Sequence, residues 1–173
     1  MDNNILNIAI YVLLIALLLG TFWFIQKKRR QVKNEASSVA TFNKKIQDIL
    51  NKLETPEEKI AALGYALEKI ENNEEYNRNQ AWKNSLKVTI YLYMTIAYNE
   101  MGDDAKLLET YNTILGLNTK HAITYYNRGC MYYRKHQYEE ALSDLQQVLD
   151  LDKKDKWGLH DEIKEVIAEI KQA

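Results

Sequence analysis

The chain has 173 residues, 46% hydrophobic and 27% charged, and a formal net charge of −1. Five of its 23 basic side chains but only one of its 24 acidic ones fall in positions 1–33, so the remainder carries a net −5. That excludes nucleic acid as a main partner, because clustered Lys and Arg supply affinity for phosphate backbone. One cysteine, Cys130, excludes an internal disulfide framework, and a single proline with abundant Ala, Leu, Glu, Lys and Gln predicts an almost wholly helical chain.

From the N-terminus, residues 1–4 precede an uncharged run from Ile5 to Ile25, ILNIAIYVLLIALLLGTFWFI. As a helix it spans roughly 30 Å, the thickness of a hydrocarbon core. The residues after it are Gln26 and then Lys27, Lys28, Arg29 and Arg30, where a cleaved signal would carry small residues. The sequence thus predicts a retained transmembrane helix over 5–25. The positive-inside rule puts residues 1–4 outside and residues 27–173 in the cytoplasm, at the inner face of a cell membrane. Lys27, Lys28, Arg29 and Arg30 are the candidate membrane-surface residues, attracted to anionic headgroups.

Residues 26–40 read as a basic juxtamembrane tether that becomes polar and small over 31–40, QVKNEASSVA, the fraying start of a helix. Residues 41–80 read as a degenerate helical hairpin. Its first apolar stripe is Phe42, Ile46, Ile49, Leu50 and Leu53. Its second helix starts at Thr55-Pro56-Glu57-Glu58, with Thr as N-cap, Pro at the first helical position and Glu three residues on, and buries Ile60, Leu63, Ala66 or Leu67, and Ile70. The Asn-rich ENNEEYNRNQ at 71–80 interrupts the pattern. Two further hairpins follow over 81–121 and 122–155, the first turning at Gly102, where a left-handed residue is needed. Over 156–173, Leu159, Ile163, Val166, Ile167 and Ile170 share one face and Asp161, Glu162, Lys164, Glu165, Glu169 and Lys171 the other, as in a helix closing the end of a stack.

The segment YYNRGCMYYRKHQYEEALSDLQQVLDL, Tyr125 to Leu151, gives these hairpins a register. With Ala122 as position 1, Tyr125, Gly129, Tyr132 and Ala141 fall at positions 4, 8, 11 and 20, and Leu145 stands for the aromatic at 24. This pattern resembles the tetratricopeptide repeat. Counting back 34 residues places Tyr91, Tyr98, Gly102, Leu107 and Tyr111 in a weaker copy, with Thr95 where the small glycine is expected. The resemblance implies an all-α fold: a short solenoid of helical hairpins with a C-terminal capping helix, preceded here by one transmembrane helix.

The same resemblance implies a partner-binding concave face lined by the first helix of each repeat. Mapped onto this chain it comprises Thr89, Leu92, Ile96 and Asn99, then Ile123, Tyr126, Asn127, Cys130, Tyr133 and Arg134. It is apolar and aromatic with few charges, suited to an extended peptide or an amphipathic helix. Asn127 occupies the asparagine position of repeats that clamp a chaperone's C-terminal carboxylate. Leu92 and Ile96 stand where that clamp needs Lys and Asn, so the carboxylate charge would be unmatched and Asn127 reads as a helix-to-helix hydrogen bonder.

No catalytic constellation is present. His121, His136 and His160 lack Cys or carboxylate at metal-ligand spacing, Cys130 has no partner base, and there is no phosphate-binding glycine loop. The sequence therefore predicts no enzyme, no cofactor and no metal. It predicts a single-pass membrane protein whose repeats recruit a protein or peptide partner as a scaffold or adaptor. The alternative is a structural subunit or quality-control factor of a membrane or envelope complex, with the repeats in a periplasm or lumen if the topology is inverted.

Overall fold

The computed structural model describes residues 3–172, with side chains described from residue 21 onward except 22, 32, 35–37 and 75. The chain divides into two units, Met1–Gln47 and Asp48–Ala173. The first unit is formed by α1 (Asn3–Leu50) up to Gln47. This helix continues through 26–40, where the sequence predicts a tether. Polarity alone does not stop a helix, and residues 26–50 contain neither glycine nor proline. Trp23 and Phe24 are exposed, and the Lys27 ammonium lies 5.1 Å from the Trp23 ring centre. Among the described residues no helix is long and apolar enough to cross a membrane. The predicted span at 5–25 falls, up to residue 20 and at residue 22, outside the described side chains, so the anchor rests on the sequence.

The second unit contains α2 (Pro56–Glu71), α3 (Glu74–Asn77), α4 (Gln80–Met101), α5 (Asp104–Leu117), α6 (Ala122–Arg134), α7 (Tyr138–Leu151) and α8 (His160–Ile170). It is all-α, with no strand among the described residues. The start of α2 is the predicted capping box: Thr55 Oγ1 accepts from the Glu58 amide at 3.2 Å, and the Glu58 carboxylate accepts from the Thr55 amide at 3.3 Å. Within this unit α2 packs on α4, and the succession continues α4 on α5, α5 on α6, α6 on α7 and α7 on α8. The segment 41–80, predicted to be one hairpin, is divided between the units at Gln47 and Asp48.

Helix α4 starts at Gln80, well before the repeat register, because Asn79 caps it by accepting from the Trp82 amide at 3.1 Å. Lys83, only 6% exposed, is held at the α2–α3–α4 junction by an ion pair to Glu71 and by donating to Asn77 Oδ1 at 2.8 Å. Lys87 reaches the same Glu71 carboxylate. Hydrogen bonds from Lys83 and then Lys87 hold Glu71 below its ordinary range.

The two hairpins turn alike. Gly102 closes α4 in the left-handed region at φ 68°, and His136, 34 residues on, takes φ 58° between α6 and α7. Leu107, Tyr111 and Met131 fill the junction of α5 and α6, with Tyr98 and Leu108 against them. Ala122, Leu145, Val148 and Ile163 fill the junction of α6, α7 and α8. Each buried Leu or Ile contributes about 1.5–3 kcal/mol. Gly129 allows α6 and α7 to approach: a Cβ there would stand 3.2 Å from Asp144 Cβ and from Leu145 Cγ. Arg128 binds Asp144 through both nitrogens of its fork at 2.7 Å and donates to Asn112 Oδ1 at 2.5 Å, linking α5, α6 and α7.

Candidate functional site

Helices α4 and α6, the first of their hairpins, and the C-terminal α8 line a groove of about 580 Å³. Helix α4 contributes Thr95, Ile96 and Asn99, and α6 contributes Tyr126, Asn127, Cys130, Tyr133 and Arg134. Glu162 and Val166 of α8 form the opposite wall, and Tyr111 of α5 closes the floor. Seven of the ten predicted partner-binding residues are thus brought together. Thr89, Leu92 and Ile123, at the early positions of the register, do not line the groove; Thr89 turns its hydroxyl to the Ser85 carbonyl at 3.1 Å.

The α8 wall corrects the predicted character of the site. Tyr126 donates its hydroxyl to Glu162 Oε1 at 2.6 Å, and Tyr133 donates to Glu169 Oε2 at 2.7 Å. Both partners are 36 residues apart, so α6 and α8 run parallel in fixed register. Helix α8 therefore stands where the first helix of a further repeat would stand. Its polar face, predicted to face water alone, places the Glu162 carboxylate in the groove lining and that of Glu169 on Tyr133, itself a lining residue. Glu162 and Val166 were missed as site residues because they were counted from the cap's own periodicity. The 34-residue period carried past residue 155 sets Glu162 against Arg128 and Val166 against Tyr132, two residues out of the observed pairing of Tyr126 with Glu162.

The electrostatics follow from this wall. The hydrogen bond to Glu162, then burial, raises the Tyr126 phenol well above its ordinary range, and the Glu169 bond raises Tyr133. Burial raises the Cys130 thiol, against a lowering hydrogen bond with Tyr126, so it stays protonated at neutral pH and is a poor nucleophile. Burial also raises Tyr111. Ile96 is 55% exposed at the groove edge, while Asn127 is half-buried within it. Arg128, beside Asn127, is the residue that bonds neighbouring helices.

Although the histidines lack partners at metal-ligand spacing along the sequence, folding brings Asp152 and Asp155 beside His160, with ligand atoms within 4.8 Å of one another. Their oxygens serve the α7–α8 turn. Asp152 Oδ2 accepts from the Lys156 amide at 2.8 Å, and Asp155 Oδ1 accepts from the Leu159 and His160 amides at 2.8 and 3.1 Å. With Asp155 at φ 49° and Gly158 at φ 67°, these bonds shape the turn that aims α8 back along α6.

Residues 122–155 match the tetratricopeptide repeat family. The repeat comprises α6, α7 and the start of the turn beyond, in the register set from Ala122. Such repeats are ordinarily non-enzymatic modules for protein–protein interaction. The α4–α5 hairpin lies outside the matched residues but shares the repeat's left-handed turn at the equivalent position. No curated protein matches the chain.

Proposed function

We propose that the chain is a membrane-anchored scaffold that recruits a protein partner into the α4–α6–α8 groove, with its repeats on the cytoplasmic side. The observation that carries the recruiting role is the groove itself, where Ile96, Asn99, Tyr126, Asn127, Cys130, Tyr133 and Arg134 converge beside the repeat turn. Its phenols and thiol hold their protons, which suits recognition better than proton transfer. The anchor is supported by the uncharged run 5–25 and its basic flank. Residues 26–40 link it to 41–80, 81–121, 122–155 and the cap at 156–173. Anchoring raises the local concentration of a partner, so modest affinity suffices.

The test joins fractionation to crosslinking. Full-length protein should sediment with membranes and resist alkaline extraction, and a chain starting at residue 31 should be soluble. A photocrosslinking amino acid at exposed Asn99 should capture a discrete partner, and Ile96→Arg should abolish the capture. Full-length protein in the soluble fraction would overturn the anchor. Capture indifferent to Ile96→Arg would overturn the groove.

A further inference from the structure

Helix α8 sets one carboxylate, Glu162, in the groove lining and a second, Glu169, on the lining residue Tyr133. Glu162 and Glu169 are two turns apart on the same face, about 10.5 Å along the helix axis, with Val166 between them at the groove wall. Neither carboxylate forms an ion pair with a Lys or Arg among the described residues. Each is held by a neutral phenol that donates to one oxygen. The hydroxyl orients the carboxylate and leaves its negative charge in place and its second oxygen free to accept. Across the groove, α4 offers the exposed Ile96. The surface thus offers an exposed apolar side chain on α4 and two carboxylates on α8.

We propose that the groove takes a basic amphipathic helix, laid with its apolar edge on Ile96 and Lys or Arg side chains two turns apart on Glu162 and Glu169. This rests on the groove being the partner site. The tyrosines act as positioning residues that fix both carboxylates before the partner arrives, so less ordering accompanies binding. Arg134, the cation among the lining residues, repels a basic side chain set beside it, so the partner's Lys or Arg side chains lie along α8.

The probes are three fluorescein-labelled amphipathic helices of one pattern, Leu/Lys, Leu/Gln and Leu/Glu, titrated by anisotropy with the full-length protein in detergent micelles. The Leu/Lys helix should bind best. Glu162→Gln and Glu169→Gln should each weaken it about tenfold, the size of one charge-assisted contact, and the double variant should lose the salt dependence of the wild type. Glutamine retains an acceptor for the tyrosine hydroxyl, and an unchanged thermal midpoint of each variant shows that α8 stays docked. Equal binding of Leu/Lys and Leu/Gln helices, abolished by Ile96→Arg, would overturn the basic preference and leave the groove standing. Preference for Leu/Glu would do the same. Failure of all three to bind would overturn the inference together with the reading of the groove as a helix-binding site.

Discussion

Arg128 sits where α5, α6 and α7 meet, its charge satisfied by the Asp144 carboxylate and its ring-like fork near Tyr125 and Tyr132, at 5.6 and 5.9 Å. Asp144 is 4% exposed, so removing its partner leaves a buried unpaired charge. Arg128→Met should cost about 3 kcal/mol in urea unfolding, and Arg128→Met with Asp144→Leu should cost less than the single change. His136 pays a different penalty: a non-glycine residue at φ 58° where the preceding hairpin has Gly102. His136→Gly should stabilise by up to about 1 kcal/mol, and Gly102→Ala should cost about as much, both by thermal melting. His121, whose Nδ1 lies 2.8 Å from Thr124 Oγ1, is shifted below 6.5 by burial. A base with a depressed folded value binds its proton more weakly in the native state. Stability is therefore whole above pH 6.5 and falls as the pH drops below it, where the unfolded chain protonates first. A His121→Gln variant should lose that step in midpoint against pH. The depressed Glu71 contributes only a later loss, as the pH falls below about 4.5.

Helix α8 shows how an element acquires two roles from two faces. Ile163, fully buried, joins Ala122, Leu145 and Val148, while Glu162 and Glu169 reach the tyrosines of α6. Ile163→Ala should cost about 3 kcal/mol by denaturant unfolding, and should weaken groove binding as well, because the same helix supplies the wall. The apolar face of α8, the capping box at Thr55 and the turn at Gly102 were legible in the sequence because each depends on residues within one or two turns of chain. The polar face was not. Period tells which residues share a side of a helix, and a carboxylate on that side looks solvated until the hydroxyl meeting it is known. Helix α1 extends through 26–40, which the sequence reads as a tether or, over 31–40, as the fraying start of a helix, because no glycine or proline there enforces a break. Helix α4 likewise begins early on a single asparagine cap.

The molecule divides at Gln47 and Asp48, and the second unit has its own core, from Leu63 and Leu86 through Ile114 and Leu145 to Ile163. Residues 48–173 alone should therefore unfold in one cooperative transition, with a thermal midpoint within a few degrees of the full chain's; a broad or absent transition would show that α1 is needed for the fold. The helical class, the register from Ala122, the left-handed turn at Gly102 and the membrane-length run at 5–25 are all written in local spacing and composition. Which side chains meet across that spacing depends on helix packing. It paired α2 with α4, set Arg128 among three helices, and turned α8 parallel to α6 so that two carboxylates face two tyrosines. These contacts join residues far apart in the chain, and their partners are fixed by how helices pack rather than by any pattern along one of them.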